Sequence, residues 1–282
     1  QKLEQELKKS EIKFDMIGLN TERCNEKIPK QSSFNTAITN ELLDSISYFK
    51  KFEYIAIGVT RWSIEHTNTI IELLGDYKGK IILGGYEITA ISETDLQKEF
   101  PRVDYFIKGY AEKSLVQLIN NQQKSPTKVI FEPLDNTFLF SPYSSGILNI
   151  TTRKIYWETK RGCSFACGFC EWGNAQIGMI ELDENHIQKD IEFFKNSNVD
   201  EINILDGTFN SKNDYQKILL QLINNTDAKI TFQARFEILT NEFLKFCSEY
   251  KERLHLEFGL QTIHKKEMEI IGRTNNMNVI ST

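Results

Sequence analysis

Apolar residues along this chain follow two alternating patterns. Short apolar runs at Phe14–Leu19, Tyr54–Val59, Lys80–Leu83 and Tyr105–Ile107 read as strands. Between and after them, helical spacing marks Ile38–Tyr48, Ile64–Leu74, Glu93–Phe100 and Glu112–Asn121. From Gln122 to Ile150 the periodicity breaks around Ser125-Pro126, Glu132-Pro133 and Ser141-Pro142, as a linker would. It then resumes. Ile155–Trp157, Glu201–Leu205, Lys229–Gln233 and Leu254–Gly259 read as strands. Helices are expected through Ile187, Ile191 and Phe194 (capped by Asp183 or Asn185), over Tyr215–Ile223 and Asn241–Tyr250, and from Lys265 to Ile271.

Strands alternating with helices predict an α/β protein with parallel sheets. The expected organisation is a doubly wound, Rossmann-like domain over residues 13–125, a linker over 126–153 and a (β/α) barrel from 154 to 282. Four strands are too few to close a barrel, so the chain is expected to continue beyond Thr282 or to be completed by a partner.

Composition narrows the function classes. The chain has 282 residues, 40% apolar and 26% charged, ordinary for a soluble globular protein of two domains. Net charge is −5 and lysines are scattered among acids, so no nucleic-acid groove is expected. No apolar run reaches membrane-spanning length and no export signal opens the chain, so a cytoplasmic location is expected. Thiols stay reduced in that compartment, and clustered cysteines there indicate metal or redox chemistry.

Three of the five cysteines, Cys163, Cys167 and Cys170, lie within Lys160–Gly173, "KRGCSFACGFCEWG". A four-iron cluster usually takes four thiolates, so three leave one iron open to a further ligand. The competing reading is structural zinc, for which only Cys247 or His186 could be recruited as a fourth ligand. Cys247, in a helical run with Phe243, Phe246 and Tyr250, reads as a core thiol. Cys24 reads as a loop cysteine.

The spacing Cys-x3-Cys-x2-Cys, with Phe169 before the last cysteine on a loop after the first strand of a βα series, resembles the radical S-adenosylmethionine (SAM) enzymes. The resemblance implies a [4Fe–4S] cluster on Cys163, Cys167 and Cys170, SAM as second cofactor, and a 5′-deoxyadenosyl radical that abstracts hydrogen. It implies a reducing partner such as flavodoxin or ferredoxin, and a small-molecule or peptide substrate. By position it places Phe169 near the adenine and Asp206, Gly207 and Thr208 at the methionyl end of SAM. Gln233, Arg235 and Gln261 fall at strand ends that line the same site. Ile271-Gly272-Arg273 is also similar to a family pattern, with no role attached.

The pieces Gly84-Gly85-Tyr86-Glu87 and Asp104 to Glu112, the latter spaced D-x4-G-x2-E, resemble the cobalamin-binding-type domain that precedes many radical SAM enzymes. That resemblance implies a corrin against Gly58, Thr60, Gly84, Gly85, Glu87 and Gly109. The lower-ligand motif Asp-x-His-x-x-Gly is absent, since that place reads Asn20-Thr21-Glu22-Arg23-Cys24. Either cobalamin binds without a protein imidazole or the domain has lost it. The reading is therefore a radical SAM enzyme acting on an unactivated carbon, by cobalamin-dependent methyl transfer. The alternatives are cobalamin-independent rearrangement, cyclisation or oxidation, and a non-catalytic iron–sulfur or zinc module.

Overall fold

The computed structural model describes residues 7–8, 10–15, 45–120, 127–135, 141–145, 153–170, 179–212 and 214–273. It divides after Glu132 into two compact units, residues 3–132 and 133–282.

In the first unit, β1 (Tyr54–Gly58), β2 (Lys80–Gly84), β3 (Tyr105–Gly109) and β4 (Val129–Glu132) form one parallel sheet in the order β1-β2-β3-β4. The crossovers carry α1 (Ile64–Leu74), then α2 (Tyr86–Ala90) and α3 (Glu93–Glu99), then α4 (Glu112–Ile119). α1 forms where expected because Thr67, Ile70, Ile71 and Leu74 fall on one buried stripe.

Strand side chains alternate between faces, and the sheet is apolar on both. Leu83 and Phe106 pack with Ile70, Leu74, Leu96 and Phe100, whereas Ile82 and Ile107 pack with Leu115 and Leu118 of α4. Among the described strands the order never reverses, so they contain no switch point of the kind where doubly wound sheets bind ligands. β4 corrects the expected linker: Val129–Glu132 is the fourth strand of this sheet. Of the strand expected over Phe14–Leu19, Phe14 is not in a strand and 16–19 lie outside the described residues. The helix expected over Ile38–Tyr48 is seen as residues 45–49, and its start lies outside the described residues.

In the second unit, β5 (Lys154–Trp157), β8 (Glu201–Ile204), β9 (Lys229–Ala234) and β10 (Leu254–Phe258) form a parallel sheet in sequential order. After them come α5 (Glu184–Lys195), α6 (Tyr215–Asn225), α7 (Asn241–Glu249) and α8 (Lys265–Ile270). Asp183 caps α5, its side chain accepting from the His186 backbone N–H. A short antiparallel ribbon, β6 (Lys160–Gly162) with β7 (Met179–Glu181), flanks the cysteine segment.

One face of this sheet is core. Ile155, Trp157, Ile202, Ile204, Ile230 and Phe232 meet Ile187, Phe194, Leu219 and Phe243 from the helices. Trp157 donates from Nε1 to Asp190 at 2.8 Å and stands edge-on to Phe194. Tyr143, from the stretch expected as linker, is buried in the same core. The other face carries Tyr156, Asn203, Thr231 and His255 in one register row, with Gln233 paired to Glu257 in the next. That polar face is only partly covered, and Tyr156, Gln233, His255 and Glu257 are exposed.

Candidate functional site

The cysteine segment leaves β6 at Gly162. Cys163, Cys167 and Cys170 are free thiols, each partly exposed. Two of them meet a hydrogen-bonding group from the carboxyl end of the sheet. Thr208 Oγ1 lies 3.6 Å from Cys163 Sγ, and Arg235 Nη1 donates to Cys167 Sγ at 3.7 Å. The Cys170 N–H donates to the Cys167 carbonyl at 3.0 Å, closing a turn between these two cysteines. Among the described residues no three Cys, His, Asp or Glu side chains are gathered tightly enough to hold a metal ion directly. The donor chemistry nevertheless fits a thiolate-bound cluster. A buried guanidinium donating to the Cys167 sulfur suits an anionic thiolate, and Thr208, whose hydroxyl donates to the Gly207 carbonyl at 2.8 Å, stands beside Cys163.

Asp206 is fully buried, and its carboxylate accepts from the Thr159 N–H at 2.8 Å, the Lys160 N–H at 3.2 Å and the Thr159 hydroxyl. Its oxygens are thus engaged by the turn joining β5 to β6. Burial pushes its carboxyl up to about 6, against the hydrogen bonds from Thr159 and the charge of Lys160. Lys160 is equally buried, and its ammonium donates to the Thr208 carbonyl and the Ser211 hydroxyl. Burial lowers its pKa, so both partners are pushed towards their neutral forms. The pair ties the start of the cysteine segment to the loop after β8.

Thr208 is buried and faces Cys163, and Gly207 beside it is partly exposed. Phe169 is 51% exposed, a ring free to stack on a ligand. Gln233 is exposed on the polar sheet face, and Gln261, also exposed, follows β10 with φ +57. Arg235 is 8% exposed and turned towards the cysteine segment, with its Cζ 3.8 Å from the Phe165 ring centroid. Lys160, Phe165 and Glu237 belong to this arrangement without having been singled out. Nothing in the sequence pattern marks them, since a lysine beside the motif reads as a surface residue until its burial is seen. Cys247 packs against the core as expected, and burial pushes its thiol up to about 11. Cys24 and Trp172 lie outside the described residues.

Four glycines of the first unit, Gly58, Gly84, Gly85 and Gly109, lie at the carboxyl ends of its strands. Gly58 and Gly84 are register partners. Gly85 and Gly109 adopt φ +101 and +79, and a Cβ on them would stand 2.5 Å from the Val59 carbonyl and 2.3 Å from the Glu132 carbonyl. The close approach these two allow is to the protein's own backbone. Thr89 joins them, donating to the Gly85 carbonyl and accepting from the Gly109 N–H. Asp104 binds the Ile81 N–H and Lys80, and Glu87 accepts from Arg61 at 2.8 Å. The Thr60 N–H donates to Ser63 Oγ at 2.9 Å.

The two motifs of this domain thus have structural work of their own. Gly109→Ala is expected to destabilise the protein by about 2–4 kcal/mol through left-handed strain and overpacking, read as a fall in chemical-denaturation midpoint. Gly58 differs: a Cβ there meets nothing within 4 Å. Trp62, on the turn that follows β1, is 87% exposed and was not singled out in the sequence.

A three-thiol loop at the carboxyl end of a parallel β/α sheet, with Thr208 and Arg235 against two of the sulfurs, is consistent with the radical SAM resemblance of the cysteine spacing. A family model described as the Radical SAM superfamily matches residues 157–280, so this part of the chain is similar to that superfamily. Among curated proteins it is similar to the 2-(S-pantetheinyl)-carbapenam-3-carboxylate methyltransferase of Streptantibioticus cattleyicolor. The two are 34% identical over 79 residues, 24% of this chain and 12% of that protein. The cobalamin-dependent radical SAM methyltransferase TokK of Streptomyces tokunonensis is 33% identical over 79 residues, with the same shares of 24% and 12%. The ribosomal protein uS12 methylthiotransferase RimO of a Sulfurihydrogenibium species is 25% identical over 143 residues, 51% of this chain and 29% of that protein. The matched stretches are thus a small part of the relatives' own lengths. No helix among the described residues is long and apolar enough to cross a membrane.

Proposed function

We propose that this chain carries the core of a cobalamin-dependent radical SAM methyltransferase acting on an unactivated carbon. The observation that carries the reading is the cysteine segment, where Thr208 and Arg235 approach two of three thiols at the carboxyl end of the second sheet. Cys163, Cys167 and Cys170 would hold the cluster. When bound there, a [4Fe–4S] cluster supplies one-electron reductive cleavage of SAM. Asp206 and Lys160 fix where the cysteine segment begins, and Thr208 and Arg235 orient its sulfurs. Phe169 presents an exposed ring for the adenine. Gln233, Thr231, Asn203 and Tyr156 offer neutral polar groups on the open sheet face, where a substrate can be held by hydrogen bonds without a charge requirement.

Cobalamin is supported by the printed name of one relative, TokK, and by the carboxyl edge of the first sheet, where Gly58 leaves open space. A second reading, the same domain without a corrin, is favoured by one observation. Gly85, Gly109, Asp104 and Glu87 are all engaged by the protein's own groups. The absorbance of protein expressed with hydroxocobalamin and purified without oxygen decides between them. Under the first reading, Gly58→Phe is expected to lower bound cobalamin at least about tenfold by filling the contact surface, with unchanged thermal stability. Wild-type protein without corrin absorbance would leave only the second reading.

A further inference from the structure

Arg235 is drawn away from the place that its motif position implies. β9 ends at Ala234, and Asn210 pins the next residue on both sides. Its Oδ1 accepts from the Arg235 N–H at 2.9 Å, and its Nδ2 donates to the Arg235 carbonyl at 2.8 Å. The guanidinium therefore leaves the strand in a fixed direction. Nε and Nη2 bind Glu237 at 3.2 and 2.9 Å, Nη1 reaches Cys167 Sγ at 3.7 Å, and the plane lies against Phe165. Glu237 also accepts from Arg273 Nε at 3.3 Å. Arg273 ends the turn after α8, and in that turn the Ile271 carbonyl accepts from the Gly168 N–H at 2.8 Å. The cysteine segment is thus held from outside by two connected anchors, the end of β9 and the Ile271–Arg273 turn. Both arginines are 8% exposed, and Glu237, the carboxylate that both bind, is partly buried.

We infer that Arg235 is a positioning residue of the cysteine segment and sets the electron affinity of the centre bound there, with Glu237 as its opposing charge, and is not a contact of SAM. The inference rests on the radical SAM reading. A cation hydrogen-bonded to a ligating sulfur favours the more negative, reduced state of an iron–sulfur centre. A carboxylate at the far side of that cation opposes it. In a low-dielectric setting these charges act with little screening.

The test uses the full chain, with its cluster reconstituted anaerobically and without SAM, and reads the midpoint potential by spectroelectrochemical titration. Arg235→Gln should move the midpoint to more negative potential, and Glu237→Gln should move it to more positive potential. Iron and sulfide content and SAM affinity should stay within about twofold of wild type in both. Two variants moving in opposite senses are not what loosened packing produces. The inference is overturned if neither midpoint moves, if both move the same way, or if Arg235→Gln weakens SAM binding tenfold with an unmoved midpoint. Should Arg235→Gln fail to fold, the positive shift in Glu237→Gln still decides. Wild-type protein that takes up no cluster would overturn the superfamily chemistry itself, an outcome distinct from the others.

Discussion

Alanine at any one of Cys163, Cys167 or Cys170 is expected to abolish SAM cleavage. Chromatography should find neither 5′-deoxyadenosine nor S-adenosylhomocysteine above background after anaerobic reduction. Under the proposed reading each thiol is one of three cluster ligands, so its loss removes a bond that holds the cluster. The fold should survive. All three side chains are partly exposed, and none belongs to the apolar core of the second unit. Circular dichroism and the unfolding midpoint of the apo protein should therefore match wild type within about 0.5 kcal/mol, as for surface changes. Retained turnover in a single-alanine variant would reject the assignment. So would stoichiometric zinc with negligible iron in the native protein.

Asp206→Ala should do the reverse, damaging the fold before any cofactor is added. The side chain is fully buried and accepts from two backbone N–H groups and a hydroxyl, and it faces the buried charge of Lys160. Its loss leaves two buried N–H groups and a hydroxyl without their acceptor, at about 1–3 kcal/mol each, so a total cost of about 3–5 kcal/mol is expected. At about 2–4 °C per kcal/mol for a domain of this size, the second unit should melt roughly 10 °C lower without SAM.

The pH dependence follows from the same burial. The carboxyl is raised from 3.8 to about 6, above its unfolded value. Its contribution to stability is therefore greatest below the unfolded value and is lost as pH rises through about 6. Asp206→Asn should remove that part of the pH profile. A variant as stable as wild type, with only SAM binding weakened, would restore Asp206 to the ligand.

Much of this architecture is legible in the sequence because local patterns dictate it. α1 follows from Thr67, Ile70, Ile71 and Leu74 at helical spacing, and the strands follow from short β-branched runs. The three cysteines are legible because they share one loop. β4 was hidden because Val129, Ile130 and Phe131 are a brief apolar run between prolines at 126 and 133. The β6–β7 ribbon was hidden because its strands alternate in no apolar pattern, and tertiary pairing alone orders them. Around the site, residue type was easier to read than direction. Asp206 and Arg235 stand at the strand ends where a ligand contact belongs, and only side-chain geometry shows them turned towards the chain itself. The link from Arg235 through Glu237 to Arg273 joins segments far apart in sequence, and nothing local announces it.

Both sheets share one further property, the sequential order of their strands. β1 to β4 pair as successive neighbours, and so do β5, β8, β9 and β10. Each new strand can therefore dock on the edge left by the one before it, with no earlier strand held open for a later insertion. The loop-closure entropy of every step is that of a single crossover, which favours rapid, stepwise assembly. During synthesis the first sheet is complete at Glu132, before Cys163 has been added to the chain. In the second sheet, β5 and the cysteines precede the strands that carry Thr208 and Arg235, and the turn with Ile271 comes later still. The thiols thus emerge from the ribosome unsupported and gain their anchors one at a time.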